Sequence, residues 1–322
     1  MKRGFEIRLA GAPDLDALCA LENAAFSADR FTRDQIEYLL TRSRATTFVV
    51  THKDQVVGSA CLLWRKSHKS ARLYNIAIHP TYQGQKLGAA LLRECELEAA
   101  RRSCEQITLE VRPDNATAIR VYEKKGFKPG HSVANYYEDG SPALKMSKPL
   151  NVTAPAELRL EAPYFAQTLD FTCGPACLMM ALKHFRPETE LTRAFELNLW
   201  KEATLIYMTS GYGGTDGYGL ALAALTRGLS CQMIMSLDST PLLRSVRSAE
   251  KREVIRIVHN DMKRRALRAG LSTAVYQYDI DEIIASLCRG LLPIALISTY
   301  RLTGDQVPHW VVITGFDKKH IY

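Results

Sequence analysis

The chain predicts a protein of mixed α/β (α+β) class in two domains, 1–150 and 151–322. Three observations carry that expectation. Its 322 residues are enough for two cores. Strand-like and helix-like segments interleave before Ser147. Three prolines and few large apolar residues then mark Ser147–Pro163 as a linker, and a second series of elements follows it.

Phe5–Ala10 alternates as a strand does, and Asp14–Phe26 and Arg33–Leu40 have helical periodicity. Thr46–Thr51, Gln55–Trp64 and Leu73–Ile78 read as strands. Lys86–Arg102 is an amphipathic helix, with Leu87, Ala90, Leu91, Glu94, Cys95 and Glu98 spaced by threes and fours. Gln106–Val111 is a strand and Asn115–Lys125 a short helix. Tyr136–Met146 places an Asp139–Gly140 turn between two extended arms. Beyond the linker, Cys173–Phe185, Leu191–Ala203, Leu220–Arg227 and Asp281–Cys288 read as helices. Cys231–Met235, Leu292–Ser298 and Trp310–Phe316 read as strands. The glycine-rich stretch Gly211–Gly219 lacks dinucleotide-fold spacing, so it predicts a flexible cleft rim and no nucleotide site.

Composition narrows the function classes. Apolar residues make up 47% and charged residues 24%, as in a globular protein. Apolar runs such as Leu291–Ile297 are too short to cross a bilayer. Met1–Ala10 is basic without a long apolar region, so no secretory signal is expected and the predicted setting is the cytoplasm. Eight cysteines show no zinc-knuckle spacing, so neither a metal site nor disulfide staples are expected. The net charge of +8 is uneven: 23 Lys and Arg face 17 Asp and Glu in the first 150 residues, against 19 and 17 in the rest. A basic first half suits a polyanionic cofactor. Lys251–Arg268 is basic at helical spacing and reads as a solvated face. Without a basic stripe carrying interleaved aromatics, nucleic acid is not an expected partner. Nothing in the sequence speaks to oligomeric state.

Two stretches carry chemistry. In LYNIAIHPTYQGQKLGAALL, Leu73–Leu92, a strand enters a glycine-containing loop that opens directly onto a helix. Helix N-termini present unpaired N–H groups and partial positive charge, and glycines let backbone approach a phosphate. Further on, LEVRPDNATAIRVYEKKGF puts Glu110 on a strand, Asn115 at a helix start and Tyr122 within that helix. Singly, Glu110 would read as a surface carboxylate and Tyr122 as a half-buried helix residue. Together with the loop and the YYEDGSPALKM segment, they resemble the GNAT acetyltransferases over nearly all of residues 1–150. Within that family the resemblance is to enzymes that acetylate protein N-termini, including ribosomal-protein alanine acetyltransferases.

The resemblance implies acetyl-coenzyme A as cofactor. Its phosphate motif, Gln/Arg-x-x-Gly-x-Gly/Ala, falls on Gln83, Gly84, Gln85, Lys86, Leu87 and Gly88, with Lys86 where the middle glycine is expected. Ile76, Ala77 and Ile78 would bond the pantetheine arm through their backbone, and Asn115 would also touch the cofactor. Acetyl transfer needs a neutral amine and a proton for the leaving thiolate. Glu110 matches the family's general base, and Tyr122 its general acid. The acceptor is expected to be a protein or peptide amine, with a small-molecule amine as the alternative.

In YFAQTLDFTCGPAC, Cys173 opens a helix, where the dipole favours thiolate. Gln167 lies six residues earlier, and His309 stands far downstream in PHWVVITGFD. A cysteine before a helix and a histidine on a distant strand is the papain-type order. The stretch resembles C39-like cysteine peptidases across about 160–322. The resemblance implies Cys173 as nucleophile, His309 as base and Gln167 as oxyanion donor. The family's third member, an Asp, would lie past Tyr322, with Asp317 as a nearby substitute. Three readings follow: a bifunctional transferase and peptidase, a transferase with a peptide-binding domain, and a non-catalytic interaction protein. An intact Glu110 and Tyr122 pair argues against the last.

Overall fold

The computed structural model describes residues 4–65, 69–150, 155–205, 213–236, 243, 246–300, 304 and 308–322. The chain forms two compact units. One comprises Met1–Pro155 with Ala274–Ala285, and the other Ala156–Thr273 with Ser286–Tyr322. Residues 274–285, read from sequence with the second half, thus cluster with the first. Burial of charged and apolar side chains of that segment accounts for the difference, as described below.

The first unit is built on strands β1 (Phe5–Leu9), β2 (Ala45–His52), β3 (Gln55–Trp64), β4 (Ser70–Ile78), β5 (Gln106–Val111), β6 (Lys128–Val133) and β7 (Ala143–Pro149). They lie in the order β1-β2-β3-β4-β5-β7-β6. Every pairing is antiparallel except β4 with β5. Helices α1 (Leu15–Ala25), α2 (Arg33–Thr41), α3 (Leu87–Arg101) and α4 (Ala116–Lys124) complete this part. Thr32 caps α2 by accepting the Gln35 N–H, and the Gln35 side chain accepts the Thr32 N–H in return. The apolar stripe of α3 packs Leu91, Leu92, Cys95 and Ala99 onto Leu62, Ile107, Leu109 and Met146 of the sheet. Each such leucine contributes about 1.5–3 kcal/mol by leaving water.

The extended arm expected at Tyr136 is instead part of the 134–142 turn, and the strand before it is β6. Pro129 and Gly130 hide β6 in the sequence. At a sheet edge, a proline's missing N–H costs no ladder bond.

The second unit holds α5 (Cys173–Phe185), α6 (Arg193–Ala203), α7 (Gly217–Thr226) and α8 (Ala249–Arg268), with the end of α9 (Ile280–Cys288). Its short strands are β8 (Leu158–Arg159), β9 (Gln232–Met235), the start of β10 (Ser272–Val275), β11 (Ile294–Ser298), β12 (Pro308–Val312) and β13 (Gly315–Phe316). β11 and β12 pair antiparallel, with Ile297 opposite His309. The strand expected over Trp310–Phe316 is broken between β12 and β13.

The glycine-rich stretch is a second correction; its residues 211–212 lie outside the described residues. Gly213–Gly219 is no flexible rim, because α7 begins within it and Gly213 and Gly219 are buried. A Cβ on Gly213 would sit 1.9 Å from the Leu205 carbonyl oxygen, and one on Gly219 would sit 2.7 Å from Ala203 Cα. Glycine is present here for close backbone packing.

Candidate functional site

The parallel strands of the first unit diverge. β4 pairs with β5 only from Ser70 opposite Gln106 to Leu73 opposite Leu109. The cause is local: β3 meets β4 with Leu62 opposite Leu73 and Cys61 opposite Asn75, leaving Tyr74 as an extra bulged residue. A bulge bends its strand and ends regular pairing. Ile76, Ala77 and Ile78 therefore keep their bonds to β3 but lie beyond the pairing with β5.

The loop after β4 leads into α3. Its first intrahelical bond runs from the Ala90 N–H to the Lys86 carbonyl at 3.1 Å, so the amides of Leu87, Gly88 and Ala89 precede the helical ladder. Gly84 has φ +74° and Lys86 φ +64°, both left-handed. The preference for glycine at position 86 is thus conformational, since a Cβ there costs about 1–2 kcal/mol. Gln83 lies at the loop start and donates weakly to the Ile78 carbonyl at 3.4 Å. Asn115 caps α4, its Oδ1 accepting the Ala118 N–H at 3.0 Å. The backbone of β4 beyond its pairing with β5, the left-handed loop and the leading amides of α3 fit a pantetheine arm ending in a pyrophosphate.

Glu110 lies one residue past the last β4–β5 pair. Its Oε2 accepts from Arg72 Nε at 2.7 Å, and its side chain is 10% exposed. Arg72 also donates to the Tyr136 hydroxyl and lies 5.0 Å from the Tyr74 ring. Burial works against the Arg72 charge, but the Glu110 carboxylate overcomes it and holds the guanidinium above its ordinary pKa. Tyr122 packs on the core beside Phe127, and burial pushes its phenol up to about 12. No described hydrogen bond joins Tyr122 to Glu110. Tyr137 is within electrostatic reach of both, and burial pushes it too up to about 12.

Arg112 joins the two loops flanking this region. It donates to Asp29 at 2.9 Å, to Asp139 at 2.9 Å and to Ser141 at 2.8 Å, with Tyr137 4.1 Å beneath its guanidinium. Glu22, buried on α1, accepts from the Phe31 N–H at 3.0 Å and from the Asn75 amide at 3.1 Å. Beside Arg72 and Tyr74 a cleft of about 580 Å³ opens, also lined by Phe31, Tyr38 and Trp64. Sequence reading missed Arg72, Arg112, Glu22 and Tyr137, because each acts through a partner distant along the chain. Tyr137 alone left a signal, in the paired tyrosines beside the Asp139–Gly140 turn.

In the second unit, Cys173 opens α5 and is partly exposed. Pro175 stands in the first turn, where no N–H is needed. Gly174 is buried: a Cβ there would lie 3.0 Å from both Thr215 and Trp310. The residue after Cys173 therefore meets the residue after His309. Successive strand side chains face opposite ways, and Trp310 is the one that meets α5. No hydrogen bond joins His309 to Cys173 among the described residues. The Gln167 amide donates to the Leu169 carbonyl at 2.9 Å. Asp317 closes a local turn, accepting from the Lys319 N–H at 2.7 Å, the His320 N–H at 2.8 Å and the Tyr322 hydroxyl. Those bonds, the one from Tyr322 foremost, hold its carboxyl well below the usual range.

The loop before Cys173 is secured by Glu196, which is fully buried. Its carboxylate accepts from the Thr168 N–H at 2.8 Å and from the hydroxyls of Thr168 and Thr172. Cys177 is a core thiol, pushed up to about 12 by burial. Asp216 caps α7 through the amides of Tyr218 and Gly219 and meets His259 Nδ1 at 2.7 Å in the interior. No cluster of His, Cys, Asp and Glu suited to a metal ion occurs among the described residues. Among these residues, no helix is long and apolar enough to cross a membrane.

Comparison with known proteins finds one family match in each half of the chain. The model of the acetyltransferase (GNAT) family matches residues 15–127, and that of the peptidase C39-like family matches residues 162–322. A putative ribosomal protein bS18-alanine N-acetyltransferase of Bacillus subtilis is 32% identical over 152 residues, covering 47% of this chain and 99% of that protein. The bS18-alanine N-acetyltransferase of Escherichia coli K12 is 42% identical over 85 residues, covering 26% of this chain and 57% of that protein. A crystal structure of the E. coli ribosomal-protein-S18-alanine enzyme aligns at 30% identity with a TM-score of 0.42, over 50% of this chain and 99% of that one. GNAT enzymes use acetyl-CoA, so the first half is an acetyl-CoA-dependent N-acetyltransferase domain. The chain belongs to the GNAT acetyltransferase family through its first half and to the peptidase C39-like family through its second.

Proposed function

We propose that this protein acetylates a protein or peptide amine in the cytoplasm, and that its second half binds or cleaves peptide at Cys173. The observation that carries the first part is the divergence of β4 from β5, with Glu110 at the fork and the leading amides of α3 beyond it. Acetyl-CoA, when bound, supplies the activated acetyl group. Ile76–Ile78 hold its arm by backbone bonds, and the stretch from Gln83 to Gly88 holds its phosphates, with Asn115 alongside. Glu110 takes the proton from the incoming amine, directly or through a water, while Arg72 fixes its orientation. Tyr122 stays protonated at neutral pH and is the proton donor to the departing thiolate.

A peptide acceptor is favoured over a small amine by the cleft beside Tyr74 and by the relatives' ribosomal-protein substrates. Mass spectrometry of peptides and small amines incubated with acetyl-CoA tests this. Acetylation confined to small amines would refute the peptide reading. For the second half, a peptide-binding role without cleavage is supported by two observations: Cys173 has no hydrogen bond to His309, and the Gln167 amide is engaged by Leu169. Cleavage of a peptide library that stops on alkylation of Cys173 would decide for the peptidase.

A further inference from the structure

The last turn of α3 and the residue that caps it carry two charges withdrawn from water. Glu98 is 0% exposed and Arg102 8%. Arg102 Nε donates to Glu98 at 3.2 Å, and its guanidinium stacks 4.3 Å from the Trp64 ring. Its two terminal nitrogens reach a residue 180 positions away: Nη1 donates to Glu282 Oε2 at 2.9 Å and Nη2 to Glu282 Oε1 at 2.6 Å. This is a bidentate fork, the strongest geometry available to this pair of groups. Glu282 is itself 9% exposed, and Ala285 after it is fully buried.

A second ion pair lies beside the first. Asp279 takes the Arg44 guanidinium on one oxygen and the Glu282 N–H on the other, at 3.3 Å. The Arg44 carbonyl in turn accepts the Trp64 N–H at 2.9 Å. Two acids of the segment 274–285 thus satisfy two arginines at the ends of β2, β3 and α3, within one compact unit. A buried arginine stripped of its main partner is a severe defect, because desolvation of the charge is no longer offset. The B. subtilis relative is spanned over 99% of its length by 47% of this chain, so an acetyltransferase of that length has no second half to lend such a partner.

We infer that residues 274–285 are an obligate part of the acetyltransferase unit, so that this transferase depends on the second half of its own chain for the bidentate counter-ion of Arg102. The segment is an intramolecular partner seated on the face formed by Arg44, Trp64 and Arg102. Cutting the chain after the linker would therefore leave an incomplete enzyme and not a minimal one.

Full-length Glu282→Ala, Glu282→Gln and Asp279→Asn, followed by hydrogen exchange and by melting with and without acetyl-CoA, test the inference. In Glu282→Ala, exchange should accelerate together in 98–104 and 274–285, on the order of a hundredfold. The melting transition that acetyl-CoA raises should fall. Glu282→Gln and Asp279→Asn should move the same observables less, and they carry the test if Glu282→Ala is insoluble. Unchanged exchange at 98–104 in the soluble variants, or acceleration confined to 274–285, would overturn the inference. So would a drop only in a transition that ignores acetyl-CoA.

Discussion

The two halves hold their candidate chemistry in different ways. At the fork of β4 and β5, Glu110 is held by Arg72, Arg72 by Tyr136, and Arg112 ties the flanking loops together. Around Cys173 the hydrogen bonds secure the loop, through Glu196, while Cys173 and His309 share none. A sheet can fork at a defined residue, so one bulge arranges the first region from the backbone outward. The second region depends on a helix start and a strand brought together by packing, and such contacts place neighbours more firmly than they orient side chains.

The largest effect expected separates the halves outright. Cys173→Ala should abolish any peptide cleavage and leave acetyl transfer unchanged. Cleavage surviving in that variant, followed by chromatography of a cleaved peptide, would remove the thiol from the proposal. Glu110→Gln and Tyr122→Phe should each lower kcat of acetyl transfer by about 10²–10⁴-fold without affecting Cys173 alkylation. A loss of tenfold or less in Tyr122→Phe would shift the acid role elsewhere, with Tyr137 the next candidate.

Burial of Tyr122 also makes a pH prediction. Its phenol is raised from about 10 to about 12 in the folded state, so the folded form keeps a proton that the unfolded chain gives up. The Tyr122 contribution to stability is fully present below pH 10 and is lost as pH rises toward 12. Melting across that range should show a steeper alkaline loss for the native chain than for Tyr122→Phe; equal slopes would contradict the burial argument.

Two smaller effects sharpen the comparison. Glu196→Ala removes the buried acceptor shared by the Thr168 amide and the Thr168 and Thr172 hydroxyls, with Thr172 keeping the Leu169 carbonyl, at a cost of about 1–3 kcal/mol. Denaturant titration should register it as a lower midpoint, and Cys173 alkylation should change with it while acetyl transfer does not. Lys86→Gly relieves a left-handed residue and should stabilise the first unit by about 0.5–1 kcal/mol. It should also lower KM for acetyl-CoA, and a higher KM would mean that the lysine charge matters more than backbone freedom.

Much of the first half was legible. Gln55–Trp64 and Gln106–Val111 are strands with the bounds read from the sequence, and α3 lies within a residue of its expected ends. These segments have strong periodicity and neighbours that agree with it. β6 was hidden by Pro129 and Gly130, which only an edge position tolerates. The glycines from 213 to 219 suggested mobility because glycine composition is the same for a loose loop and for tight packing. Space decides between them, and here the Leu205 and Ala203 backbones occupy it.

By itself the sequence determined most elements of the first half, the two family memberships and the residue types available for acetyl transfer and thiol chemistry. Those properties are local: periodicity, a glycine-bearing turn before a helix, a cysteine at a helix start. Only the tertiary structure decided which charges face one another. That Arg72 holds Glu110, that Glu196 secures the Cys173 loop, and that Glu282 completes the burial of Arg102 are long-range facts. They depend on which side chains lose water together, and neither spacing nor composition records that.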